Sequence, residues 1–173
     1  MAELGWFNGQ RAELIGGEIV VLSPQNFAHA STTDRVAERL KLAFAESWVR
    51  MQLPLDTGQD SLPEPDVSVV RGSRESYSNH PRAQDAELVV EVSDTTLAFD
   101  RSRKVADYAA AGVREYWIVN IVQRQVEVHR APIEDSSAAF GWRFDDVSIM
   151  KPGDMLVPLA RLDQSIAVAD LVR

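Results

Sequence analysis

Asp66, Glu91 and Lys104 are the residues of this chain whose types and settings suit joint chemistry. Asp66 opens the run Asp-Val-Ser-Val-Val. There Val67 and Val69 point one way and Asp66 and Ser68 the other, because side chains alternate along a strand. Glu91 sits inside Glu-Leu-Val-Val-Glu-Val-Ser-Asp. Leu88, Val90 and Val92 share one face and Val89 and Glu91 the other, so the strand is apolar on both sides and reads as buried. A carboxylate in that position is costly to ionise unless it meets a cation or keeps a proton. Lys104 follows on the next helical stretch. Two carboxylates at the ends of neighbouring core strands suit Mg²⁺ or Mn²⁺, which take hard oxygen ligands and keep several waters. A nearby lysine can orient the attacking water, help deprotonate it as the free amine, or stabilise the developing oxyanion as the ammonium. Together these are the requirements of phosphodiester hydrolysis. The same three residues also fit a structural ion-pair network.

The elements that must position them are legible from periodicity. Residues 11–22 predict a β-hairpin turning at Gly16-Gly17 and ended by Ser23-Pro24. Glu18, just after the turn, is either a solvated strand end or a supporting carboxylate. From Phe27 to Arg50 apolar residues recur at helical spacing, which predicts one long amphipathic helix. His29 lies near its start, as a surface or capping residue or as a supporting group of the site. Residues 51–62 read as a strand and a turn, and the aperiodic run from Arg71 to Ala86 as a surface loop. Asp100 is placed as an N-cap and Gly112 as the stop of a second helix, with Val105, Tyr108, Ala109 and Gly112 as its packing stripe. Its first turn carries Arg101, Arg103 and Lys104, against the helix dipole, so an anionic partner is expected. A strand from Glu115 to Val122 and a returning strand that points His129 to solvent follow. Short strands and a brief helix near Val168 to Val172 complete the chain.

A chain of 173 residues, 45% hydrophobic and 25% charged, fits one domain spanning 1–173. The absence of cysteine removes disulfides and thiolate metal sites, and fits a reducing cytoplasm. There is no signal-peptide pattern at the start and no membrane-length apolar run. The net charge of −8 argues against a broad nucleic-acid surface, so phosphate contact has to come from a local patch. Arg71, Arg74, Arg101 and Arg103 are its expected members, as a positive rim around the carboxylates.

The order and surroundings of these residues resemble the PD-(D/E)XK nuclease superfamily, and more closely its Uma-type group of restriction-endonuclease-like proteins. The resemblance covers most of the chain. It rests on Glu13-Leu-Ile-Gly-Gly-Glu-Ile with Ser23-Pro24 and His29, Pro65-Asp66-Val-Ser-Val-Val, Leu88-Val-Val-Glu91-Val-Ser, and Lys104-Val-Ala-Asp-Tyr-Ala-Ala-Ala-Gly-Val-Arg-Glu-Tyr-Trp-Ile-Val-Asn. It implies a mixed α/β domain of restriction-endonuclease type, with a central mixed sheet flanked by helices and an extra N-terminal hairpin. It also implies Asp66, Glu91 and the Val92 carbonyl as metal ligands, Lys104 as the catalytic lysine, and DNA as the substrate of an Mg²⁺- or Mn²⁺-dependent endonuclease. Ser93 stands where the superfamily motif has its lysine, Gly16 where the hairpin turn has an acid, and Asn120 where an Asp commonly follows the last core strand. A nuclease-like fold without catalysis, acting as a nucleic-acid-binding or protein-interaction module, is the rival expectation. Cutting both strands of a duplex commonly uses two sites, so a homodimer is the expected assembly, with no residue that specifies it.

Overall fold

In the computed structural model, which describes residues 12–21, 24–58 and 60–172, the chain opens on a hairpin of β1 (Ala12–Ile15) and β2 (Glu18–Val21). The outer ends of the expected hairpin, Arg11 and Leu22, and the Ser23 of its terminating pair lie outside the described residues. Helix α1 (Phe27–Ala43) follows, then strands β3 (Trp48–Met51), β4 (Val67–Val70) and β5 (Ala86–Ser93). Helix α2 runs through residues 97–110, with a π-helical turn at Asp100–Lys104 in its middle. Strands β6 (Glu115–Asn120), β7 (Gln125–Glu134) and β8 (Trp142–Met150), the short pair β9 (Met155–Leu156) and β10 (Ile166–Ala167), and helix α3 (Val168–Leu171) complete the order.

Strands β3 to β8 form one six-stranded sheet in chain order. Only β5 and β6 run parallel, and a parallel pair needs a crossover, which α2 supplies. The sheet separates two apolar layers. On one face Leu88, Val90 and Val92 of β5 pack with Val36, Ala37 and Leu40 of α1. On the other, Val89 packs with Val105, Tyr108 and Ala109 of α2. The alternation in β5 therefore sends Glu91 to the α2 side. No helix among the described residues is long and apolar enough to cross a membrane.

Three elements differ from the sequence expectation. Helix α1 ends at Ala43, not near Arg50, because Trp48 to Met51 pair with β4 as an edge strand. Trp48 and Val49 continue the helical spacing by coincidence, and their β preference prevails where a sheet partner is at hand. Asp100 is not an N-cap, since α2 already begins at Leu97; its carboxylate is inside the helix and accepts from Thr96 Oγ1 at 2.6 Å. His129 does not face solvent. It is buried, with ring centroids 5.6 Å from Tyr116 and 5.8 Å from Phe144.

That burial gives a pH prediction. Desolvation holds the His129 imidazole down to about 4 from an ordinary 6.5, against the opposing pull of Glu127. With the folded value below the unfolded one, neutral His129 contributes stability that is fully present above pH 6.5 and is lost as pH falls toward 4. At 1.36 kcal/mol per unit the effect is of order 3 kcal/mol. His129→Leu should flatten the urea midpoint across this window, and a slope identical to that of the unsubstituted protein would place its source elsewhere.

Candidate active site

The antiparallel register of β4 and β5 sets Val67 against Val90, so one step further Asp66 comes opposite Glu91. Each acid is tied to the other strand's backbone. Asp66 Oδ2 accepts from the Val92 N–H at 2.9 Å, and the Asp66 N–H points to Glu91 Oε2 at 3.4 Å. From the α1 side His29 Nε2 reaches Asp66 Oδ2 at 3.2 Å. The Asn26 side chain caps α1 by accepting from the His29 N–H at 2.9 Å, which fixes where His29 leaves the helix.

Lys104 closes the π-helical turn of α2, a kind of turn that often marks functional positions. Asp100 and Lys104 stand four residues apart, both buried. Lys104 Nζ lies 2.7 Å from Glu91 Oε1 and 3.2 Å from Glu13 Oε2. The Tyr108 hydroxyl, one turn on, donates to the same Glu91 Oε1 at 2.7 Å. Glu13 arrives on β1, whose hairpin is held by Gly16 N–H donating to Ser61 Oγ at 2.6 Å and Leu62 N–H to the Leu14 carbonyl at 2.8 Å. Arg103 adds bonds to the Ile15 and Gly16 carbonyls at 3.3 and 3.0 Å. Gly16 has φ +55°, and a Cβ there would run into the Arg103 guanidinium. A glycine at that corner lets α2 clamp the hairpin and hold Glu13 over Lys104.

Four buried carboxyl groups, Glu13, Asp66, Glu91 and Asp100, thus surround one ammonium. Burial pushes Glu91 well above its ordinary 4.5; Lys104 opposes this, while Asp66, Asp100 and Glu13 add to it. Burial likewise raises Glu13 and Asp100. Asp66 ends below its ordinary value: burial would raise it, but His29 and the Val92 N–H outweigh that. For Lys104, desolvation alone would lower the amine, yet Glu91, Glu13 and Asp100 carry it above 10.5. Lys104 is therefore an ammonium at neutral pH, fitted to stabilise negative charge and not to accept a proton.

These groups line a cavity of about 240 Å³. Among the described residues no group of three or more His, Asp or Glu side chains is disposed to hold a metal ion by side chains alone. Two carboxylates and a backbone carbonyl, completed by water or phosphate oxygens, are enough for Mg²⁺. Asp66, Glu91 and the Val92 carbonyl fit that description. The excess of buried carboxyl groups over the single Lys104 ammonium is what a divalent cation would relieve.

The other expected members of the site are elsewhere. Glu18 is exposed, 4.0 Å from Arg103, and lines no part of the cavity. None of the four arginines lines it either. Arg71 and Arg74 follow β4 at the end opposite Asp66, five or more residues away, which is roughly 16 Å of strand. Arg71 is held by the Gln84 carbonyl and Asp85. Arg101 is taken by buried Glu127, at 2.9 and 2.7 Å, and Arg103 by the hairpin carbonyls and the Phe140 ring. None of these four arginines thus forms part of the cavity wall among the described residues. Glu13, Asp100 and Tyr108 join the site without having been singled out for it. The signal for Glu13 was strand alternation, since it shares a face with buried Ile15.

A search of solved structures places this architecture among nuclease folds. The crystal structure of a "putative nuclease belonging to DUF820" from Anabaena variabilis matches with a TM-score of 0.69 over 94% of this chain and 89% of that one, at 16% identity. At that identity the likeness establishes the fold alone: a mixed α/β fold of nuclease type with a central mixed sheet and an N-terminal hairpin. The family follows from sequence. The model of Uma2, described as "Putative restriction endonuclease", matches residues 4–159, and the chain belongs to this family. No curated protein matches it.

Proposed function

We propose that this Uma2 protein is an Mg²⁺- or Mn²⁺-dependent endonuclease that hydrolyses phosphodiester bonds in DNA, working as a single domain in the cytoplasm. The observation that carries the reading is the meeting of Asp66, Glu91 and Lys104, from three separate elements, at the wall of one cavity. Asp66, Glu91 and the Val92 carbonyl would hold the cation, which when bound supplies charge neutralisation at a phosphate and a more acidic water. The remaining work belongs to the chain. Lys104, kept as an ammonium by Glu91 and Glu13, stabilises the negative charge that develops on the phosphoryl oxygens. Tyr108 fixes the Glu91 carboxylate, and His29 fixes that of Asp66.

Thermal unfolding tests the metal part without any substrate. A ligand that binds only the native state stabilises it by mass action, about 2.7 kcal/mol at a hundred times its Kd. Millimolar Mg²⁺ or Mn²⁺ should raise the Tm, and Asp66→Ala should remove the rise. An unchanged Tm for the unsubstituted protein with both metals would contradict a cation at Asp66 and Glu91.

One observation favours the rival reading of a nuclease-like module without catalysis. Glu13, Glu64, Asp66, Glu91, Asp94 and Asp100 all line the cavity, facing, among the described residues, only Lys104 and His29 and no arginine. Such a module would bind nucleic acid or protein with no metal-dependent turnover.

A further inference from the structure

Arg101 and Arg103 stand on either side of the exposed Ser102 in the π-helical turn of α2, and neither lines the cavity. They leave the turn toward different neighbours. Arg101 Nε and Nη2 donate to the two carboxylate oxygens of Glu127 on β7, at 2.9 and 2.7 Å. Glu127 is buried and further held by Asn120 Nδ2 and Gln125 Nε2, each 3.4 Å from its Oε1, so the acceptor is fixed in place. Arg103 Nη2 donates to the Ile15 and Gly16 carbonyls of the N-terminal hairpin at 3.3 and 3.0 Å, and its guanidinium lies 4.8 Å from the centre of the Phe140 ring. One arginine fastens the turn to the central sheet and the other fastens it to the hairpin.

The inward members of the same turn are Asp100 and Lys104, only 3% and 6% exposed. A π-helical turn is rare, and it survives where its surroundings hold it. Relaxation to a regular α-helix would carry the residues ahead of the turn round by one position, about 100° at 3.6 residues per turn. A bidentate pair of guanidinium and carboxylate fixes direction as well as distance, so Arg101 on Glu127 opposes that rotation. Arg103, bonded to two successive carbonyls, opposes it from the other side.

Resting on the nuclease reading for the task of Lys104, we propose that Arg101 and Arg103 are positioning residues, which hold the π-helical turn from two sides and so keep the Lys104 ammonium seated against Glu91 at the cavity wall. Neither arginine touches the substrate. Their loss acts through Lys104.

Lys41, Lys104 and Lys151 are the only lysines in the sequence, and Lys104 alone of them is buried. Acetylation of the folded full chain by acetic anhydride, mapped by peptide mass spectrometry, therefore reads the seating of Lys104 without substrate or metal. Lys41 and Lys151 serve as internal standards. In Arg101→Met and in Arg103→Met, Lys104 should react at least about 10-fold faster relative to those standards, because local opening of the turn governs access to it. Leu171→Ala, in the core on the α1 side of the sheet, controls for a general loss of stability. Arg101→Met combined with Glu127→Gln removes the buried charge that Arg101→Met alone leaves unpaired. That double variant should recover the urea midpoint while Lys104 stays reactive. Single-turnover cleavage should fall by about 10-fold in both Met variants with the metal-induced rise in Tm retained, since a misplaced group costs rate and not metal. Lys104 protection that is unchanged in both arginine variants, or that follows the urea midpoint across all the variants, Leu171→Ala included, would overturn the proposal. The two readings fail separately. Loss of Lys104 protection in the arginine variants of a protein that cuts no DNA with either metal would keep the anchors and remove the nuclease. Undiminished cleavage in both Met variants would keep the nuclease and remove the anchors.

Discussion

Lys104→Ala is expected to lower DNA cleavage by about 10²-fold or more, the usual scale for one group that stabilises transition-state charge. The ammonium is buried between Glu91 and Glu13, at 2.7 and 3.2 Å, and among the described residues no other lysine or arginine lines the cavity. Its removal also leaves two buried carboxyl groups without their cation. Breaking a buried pair from one side costs about 3 to 5 kcal/mol while the partner stays ionised. Glu13 and Glu91 already sit above their ordinary range, so they can take up protons instead. The stability loss should therefore be large at pH 8 and small near pH 5. Lys104→Arg should keep the charge and much of the stability yet recover little activity, because a planar fork cannot occupy the position of a compact ammonium between two carboxylates. Single-turnover cleavage beside urea unfolding at both pH values separates these effects. A Lys104→Ala protein that cuts at the original rate would remove Lys104 from the chemistry.

Glu91→Gln should act in opposite directions on stability and on activity. Burial, together with Asp66, Asp100 and Glu13, raises the folded value of Glu91 well above 4.5. Its contribution to stability is fully present below pH 4.5 and is lost as pH rises through the folded value, so above that window the acid weakens the fold. The amide keeps an oxygen for Lys104 and Tyr108 while removing one of four buried acids. Without metal, the substituted protein should melt higher than the original at pH 7 to 8 and equal to it near pH 4. Cleavage should fall by about 10²-fold or more, since one of the proposed metal ligands is lost. Destabilising charge retained at a site is the usual trade of stability for function. A lower Tm throughout would show that the Glu91 carboxylate serves the fold.

The central parts of this architecture could be read from the sequence because local pattern and tertiary demand agree there. The two apolar faces of residues 88–92 admit only a strand covered on both sides, and Glu91 is buried as that pattern requires. Lys104 meets Glu91 because a crossover helix between parallel strands must start where β5 ends. Other features depend on partners distant in sequence. Trp48 and Val49 leave the helical pattern only because β4 offers an edge. Arg101 and Arg103 resemble a phosphate rim until Glu127 and the β1 hairpin, 26 and 87 residues away, take them. His129 alternates as an outward residue, yet Phe144 of β8 covers it. The π-helical turn that places Asp100 inside the site is written in neither propensity nor period.

Metal-dependent cleavage is the most direct measurement. The protein, with a Glu91→Gln preparation purified in parallel, is incubated with a panel of single-stranded and duplex DNA in Mg²⁺, in Mn²⁺ and in EDTA. A metal-dependent nuclease built on Asp66, Glu91 and Lys104 should cut at least one DNA form with either metal, stop in EDTA, and lose that activity in the Glu91→Gln preparation. No cleavage of any form with either metal, or cleavage that persists undiminished after Glu91→Gln, would contradict it.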